Sequence, residues 1–244
     1  MVHSMWYNIL SRKQEEKVMT HVMSDIHGMC SKYVTILDKI GGIKGDDKVY
    51  ILGDIIDRGP DGDVILLSMM SDPRIIPIIG NHESLALPIL KAISSEKPFK
   101  EIEQTRSYQV WAAMGGEATA TGFRSHSRET QQRMIDYIES FRIYEELEVE
   151  NRKYHLSHTL PEYNSKCNIH DVTFHEFVWG EPDYNVCYDP DITFITGHTP
   201  TALIDSASAD SVWRGNGHIA IDCGAAFGGK LACICLETME EYYV

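Results

Sequence analysis

The segment Val49-Tyr50-Ile51-Leu52-Gly53-Asp54-Ile55-Ile56-Asp57-Arg58-Gly59, followed after one helix-sized interval by Ile75-Ile76-Pro77-Ile78-Ile79-Gly80-Asn81-His82-Glu83, decides the fold. Val49 to Leu52 and Ile75 to Ile79 are short, largely β-branched apolar runs, the composition of a parallel strand buried on both faces. The polar residues after them therefore lie just past strand C-termini, which in open α/β sheets face the ligand crevice. A glycine before each polar group allows the chain to turn sharply. Asp, Asn and His side chains supply the mixed oxygen and nitrogen donors that hard to borderline divalent metals accept.

Upstream, Val18 to Ser24 reads as a first strand leading into Ser24-Asp25-Ile26-His27-Gly28. On an extended strand end, Asp25 and His27 would share one side and could reach one ion. The plainer role for Asp25 is to cap a helix over 30–40, which Gly41-Gly42 closes. Asp54 follows Asp25 by 29 positions and Asn81 follows Asp54 by 27, so the same βα unit length recurs. Three successive units ending in clustered ligand-type residues make a site in the first half of the chain. Arg58 is either a surface partner of Asp57 or Asp61 or, beside a carboxylate crevice, a fork for phosphate oxygens, and the second reading is preferred.

Downstream, Leu85 to Ile93, Thr105 to Ala113 and Thr130 to Ser140 read as helices, and His126 between them as a surface side chain. Ile143 to Val149 and Lys153 to Leu156 form a hairpin around Glu150-Asn151-Arg152. A further strand, Ile192 to Thr196, precedes Gly197-His198-Thr199-Pro200.

The 244 residues suffice for one α/β domain with a full core, spanning 1–244, with 1–17 as an additional N-terminal segment. A formal charge of −14, from 22 basic against 36 acidic side chains, argues against nucleic acid as a partner. A carboxylate cluster that binds dications can still be locally positive, so a phosphorylated substrate remains compatible. The six cysteines, Cys30, Cys167, Cys187, Cys223, Cys233 and Cys235, lack zinc-ribbon spacing and read as reduced core thiols. No signal-peptide core and no membrane-length apolar run is present, which points to a cytoplasmic protein with no membrane partner.

The segments Asp25-Ile26-His27, Gly53-Asp54-Ile55-Ile56-Asp57-Arg58-Gly59, Gly80-Asn81-His82-Glu83 and Gly197-His198-Thr199-Pro200 resemble the motifs of the metallophosphoesterases. The likeness is to the phosphoprotein-phosphatase branch with its bacterial and phage members, and runs from about Val18 to Glu237. It implies an α/β (layered α+β) fold: a central β-sandwich flanked by helices, with a dinuclear metal site at strand C-terminal ends. By the same resemblance Asp25 and His27 hold one ion, Asp54 bridges, and Asn81, His158 and His198 hold the other, His158 being chosen over His155. Two divalent cations are implied, manganese foremost, with iron or zinc as alternatives, and hydroxide shared between them is the nucleophile. His82 would then be the general acid, oriented by Asp57, and Arg58 would hold phosphate oxygens.

The implied activity is serine/threonine phosphatase-like hydrolysis of phosphomonoesters, on a phosphorylated protein or a small phosphoester. A dinucleotide polyphosphate hydrolase and a non-catalytic phosphate-binding module are the alternatives. Trp111, Met114-Gly115-Gly116 and Thr119 resemble a W-x-x-N-G-G-x-x-T segment, with Met114 in place of Asn, and are read as lid packing. Glu83 is read as a structural ion-pair partner and Asp222 as structural. The stretches 219–225 and 227–236 are read as a closing hairpin that ends the chain's strands. Where relatives usually carry a second phosphate-binding arginine this chain has Glu181, so either Arg124, Arg214 or another cation substitutes or the preferred substrate differs.

Overall fold

The computed structural model describes residues 17–162 and 171–244, so the N-terminal segment up to residue 16 and Cys167 lie outside the described residues. The chain begins with the alternation read from sequence: β1 (Thr20–Met23), α1 (Cys30–Lys39), β2 (Lys48–Ile51), α2 (Gly62–Met70), β3 (Ile75–Pro77) and α3 (Asn81–Ile93). The helical stretch continues with α4 (Phe99–Ile102), α5 (Arg106–Trp111), a π-helical segment (Ala112–Gly116), α6 (Glu117–Ser125) and α7 (Arg128–Glu139). The second half contains β4 (Tyr144–Val149), β5 (Arg152–Ser157), α8 (Phe174–Trp179), β6 (Ile192–Thr196), α9 (Thr201–Ile204), β7 (Trp213–Gly215), β8 (His218–Ala220), β9 (Ala232–Cys235) and β10 (Glu241–Tyr243).

Two five-stranded sheets result, in the orders β10-β9-β1-β2-β3 and β4-β5-β6-β8-β7. β1, β2 and β3 are parallel, which sets the ends carrying Asp25, Asp54 and Asn81 side by side. Strand alternation divides the core. Val22, Tyr50 and Ile234 point into the layer between the sheets, where they meet Tyr154, Leu156, Ile195 and Ile219. Their neighbours Met23, Val49, Ile51 and Cys233 face the opposite side and pack under α1, α2, α3 and α7. Phe194 on the outer face of the second sheet meets Phe177 of α8 and Leu160.

Several sequence expectations change. The hairpin turn holds two residues, because Val149 pairs with Arg152, and Glu150 (φ 50°) and Asn151 (φ 58°) both take the left-handed conformation that matches strand twist. The closing segment is no hairpin: β8 joins the second sheet and β9 the first, so 221–231 crosses between layers, and β10 follows as a further edge strand. Cys233 and Cys235 are buried as expected, whereas Cys187 is exposed and Cys30 half-buried, so "core thiol" fits only part of the set. No helix among the described residues is long and apolar enough to cross a membrane.

Candidate metal centre

The site is assembled from loops that leave β1, β2, β5 and β6, and from the first turn of α3. The loops after β1 and β2 are zipped together by backbone bonds from His27 N to Asp54 O (2.8 Å) and from Gly28 N to Ile55 O (2.8 Å). Asp25 (φ 51°), His27 (φ 47°), Asp54 (φ 51°), Asp57 (φ 71°), Arg58 (φ 66°) and His198 (φ 65°) are all left-handed. The extended geometry expected for Asp25 and His27 is thereby corrected. Non-glycine residues in this region store conformational energy that the surrounding packing must offset, a pattern that collects at functional sites. Gly53 (φ +85°) does make a turn, but Gly80 is extended and is required for clearance: a Cβ there would lie 2.3 Å from Asp54 Oδ1.

Asp54 is the centre of the arrangement. Its Oδ2 faces His27 Nε2 at 3.6 Å and His82 Nε2 at 3.9 Å, and its Oδ1 faces His158 Nε2 at 3.5 Å. Donor atoms of His27, Asp54 and His82 form one group within 4.8 Å of each other, and those of Asp54, His158 and His198 form a second. Asn81 joins the second, with Oδ1 2.9 Å from His158 Nε2 and 3.1 Å from His198 Nδ1. Asp25 lies beside these groups: its Oδ2 accepts from His198 N (3.0 Å) and from the Ser24 hydroxyl.

The donor chemistry fits cations. His158 Nδ1 is held by Leu52 O at 2.7 Å and His27 Nδ1 by Ile56 O at 3.0 Å. Donation to those carbonyls fixes the tautomer and leaves the Nε2 lone pair facing the cluster, as for a metal-binding imidazole. Turning the Asn81 amide would bring its NH2 within 3.2 Å of Asp54 Oδ2 and onto both histidines, so the cavity is built to surround a positive group. Burial holds His27 down at about 3 and His198 at about 4, so both stay neutral and able to ligate. Burial, then Asp222 and Asp54, push Asp25 well above the usual carboxylate range, and burial pushes Asp222 to about 6. Divalent charge would reverse both shifts.

A second layer surrounds His82. Its Nδ1 is 2.7 Å from Asp57 Oδ2, and its Nε2 is 3.1 Å from an Arg58 nitrogen. Burial works against a charged ring, but Asp54 and the hydrogen bond and charge of Asp57 outweigh it, and the His82 pKa is raised. Trp111 Nε1 donates to Asp57 Oδ2 (2.7 Å) and Thr119 Oγ1 to Asp57 Oδ1 (2.6 Å), while Arg58 N donates to Gly115 O (2.9 Å). The lid reading of this segment is therefore corrected: it is the buried cradle of Asp57. The tryptophan and threonine were visible in the sequence, but their partner was not, because 54 and 62 residues separate them from Asp57.

Among the described residues, Glu83 forms no ion pair with a lysine or arginine. It accepts from the backbone N–H groups of Asp54 (2.9 Å), Ile55 (2.8 Å), Ile56 (3.2 Å) and Gly80 (3.0 Å), clamping two loops together. Burial and the nearby Asp54 raise its pKa to about 7. His126 is not a free surface group, since Nε2 lies 2.7 Å from Asp63 Oδ2. Arg124 stacks on Phe99 and Arg214 pairs with Glu241 at 2.7 Å, so neither takes up the position opposite Arg58, and Glu181 is exposed.

The description "Calcineurin-like phosphoesterase" matches residues 20–202, a span that includes every donor above. The chain belongs to the calcineurin-like phosphoesterases. Proteins named "Bis(5'-nucleosyl)-tetraphosphatase, symmetrical" are similar over a shorter span. The one from Haemophilus ducreyi is 33% identical over 86 residues, 34% of this chain and 32% of that protein. The one from Escherichia coli K12 is 29% identical over 80 residues, 32% and 29% of the two chains. The matches thus span about a third of these relatives' length. Two solved structures share the fold at 13% identity. A candidate diadenosine tetraphosphatase has a TM-score of 0.62 over 94% of each chain, and a serine/threonine phosphatase from Saccharomyces cerevisiae has 0.61 over 92% of this chain and 74% of its own. The family uses divalent metals, and Asp54, His27, His158 and His198 are among the candidate binding residues here.

Proposed function

We propose that the chain hydrolyses phosphoric esters at a centre for two dications, manganese foremost, held by Asp25 and His27 on one side, Asn81, His158 and His198 on the other, and Asp54 between. The observation that carries this reading is the division of one carboxylate, with Asp54 Oδ2 turned to His27 and Oδ1 to His158. Two bound dications would lower the pKa of a shared water toward neutrality and offset charge on the phosphoryl oxygens. The remaining work belongs to the protein. Arg58 orients the phosphoryl group through charge-assisted bonds. His82, its ring aligned by Asp57, gives its Nε2 proton to the leaving oxygen. That proton matters most when the leaving group is an alkoxide, which supports a phosphomonoester of the serine/threonine type as substrate.

A second reading, hydrolysis of a dinucleoside polyphosphate, is supported by the names of the sequence relatives, whose similarity falls on a third of the chain. Product analysis on phosphoserine peptide and diadenosine tetraphosphate, with manganese-loaded protein, separates the two. Turnover of neither, or activity unaffected by a chelator, would count against a metal-dependent phosphoesterase.

A further inference from the structure

Next to the metal centre lies a cavity of about 380 Å³ whose walls include Pro200, Leu203, Asp210, Cys223 and Phe227. Two of these side chains are conspicuous for an apolar residue type: Leu203 is 78% and Phe227 67% exposed. Phe227 is not on a loose loop. Its N–H donates to Gly224 O (2.8 Å), and Lys32 of α1 ties down both ends of the turn through Ala225 O (3.0 Å) and Gly229 O. The Arg58 guanidinium lies 4.6 Å over the Phe227 ring while also touching His27 and His82, so one side chain joins the ring to the cluster. A single free aromatic face, an apolar wall and one acceptor group describe a small-molecule pocket better than a protein groove. Asp210 is that acceptor, and it is exposed. A carboxylate repels phosphate but accepts ring and exocyclic N–H groups of an amino-bearing base.

We infer that this cavity is a base-binding subsite: it takes the nucleobase of a phosphorylated nucleoside whose phosphoryl group lies at Arg58, the base stacking on Phe227 and donating N–H to Asp210. The inference rests on the phosphoester-hydrolase reading and assigns its substrate class: the leaving alkoxide is that of a nucleoside-bearing ester rather than of a phosphoserine or phosphothreonine. Stacking of a base on an aromatic side chain is strong enough to be read as about five- to a hundredfold in affinity.

The test compares adenosine 5'-monophosphate, ribose 5-phosphate and 4-nitrophenyl phosphate as substrates of the manganese-loaded full chain. The expected result is a higher kcat/KM for the nucleotide than for ribose 5-phosphate, a ratio that falls roughly tenfold in Phe227→Ala and survives in Phe227→Trp. Using the ratio cancels any effect of Phe227 on Arg58. Asp210→Asn should lower the nucleotide against 4-nitrophenyl phosphate. An unchanged nucleotide-to-ribose ratio in Phe227→Ala overturns the subsite. Equal losses on both aromatic substrates in Phe227→Ala, with Asp210→Asn silent, overturn the base assignment in favour of an unspecific aryl slot. If none of the three turns over, the assay on phosphoserine peptide and diadenosine tetraphosphate judges the function proposal, and titration calorimetry of metal-free chain with adenosine 5'-monophosphate judges the subsite alone: binding weakened by Phe227→Ala supports it, and no binding, or binding that Phe227→Ala leaves unchanged, refutes it.

Discussion

At the residue scale, the least anticipated feature is the carboxylate of Asp57, enclosed by His82, Trp111 and Thr119 with no exposure to solvent. A hydrogen-bonded carboxylate held this tightly fixes both the tautomer and the angle of its imidazole. His82→Ala is therefore expected to reduce turnover of an alkyl phosphate by roughly 10² to 10⁴, and 4-nitrophenyl phosphate, whose leaving group scarcely needs a proton, by much less. Thr119→Ala should show the same leaving-group signature at smaller amplitude, with Thr119→Ser restoring it. Steady-state rates on the two substrates check both statements, and equal losses on alkyl and aryl esters would remove His82 from the general-acid role.

At the element scale, the site depends on how closely the turn into α3 approaches the loop after β2. Gly80 and Glu83 make that junction, one by lacking a Cβ and the other by accepting four backbone N–H groups. Gly80→Ala is expected to displace the Asp54 carboxylate and abolish metal uptake while leaving far-ultraviolet circular dichroism near that of the parent. The strand carrying His218 supplies a pH prediction. Burial holds this imidazole down at about 3 against an ordinary 6.5, its Nε2 lying 2.8 Å from Thr196 Oγ1 and its ring stacked on Tyr184. The unfolded chain thus binds a proton that the folded chain refuses between those two values, so stability is full above about 6.5 and falls as pH drops toward 3. Thermal melts of metal-free protein from pH 7 to 4 should fall less steeply in His218→Asn than in the parent.

The parallel strands and the strand-end positions of Asp25, Asp54 and Asn81 were legible because periodicity and glycine spacing mark strand ends directly, whereas His158 and His198 were singled out only by the family resemblance. What sequence could not carry was the left-handed backbone at Asp25, His27 and Asp54, the two-residue turn at Glu150-Asn151, and the destination of β9. Backbone sign and sheet membership are set by long-range packing. Likewise Glu83 reads as an ion-pair partner and Trp111 as lid packing until the loops they hold are brought beside them.

At the scale of the whole molecule, parallel β1 to β3 and the second sheet each contribute candidate ligands, so a bound centre would staple one layer to the other: Asp54 and Asn81 come from the first, His158 and His198 from the second. Ions that bind only this folded arrangement stabilise it by mass action, about 2.7 kcal/mol when free metal is a hundred times its Kd. Calorimetric melting temperature should accordingly rise with manganese concentration and return on chelation, and Asp54→Asn should remove the dependence. The charge of −14 does not oppose this, because dications are drawn to the acidic chain and leave the crevice locally positive. The most direct measurement is elemental analysis of protein dialysed against manganese, made alongside turnover on the same sample. Two ions per chain are expected, falling with activity in Asp54→Asn; one ion or none with turnover intact would contradict a dinuclear phosphoesterase.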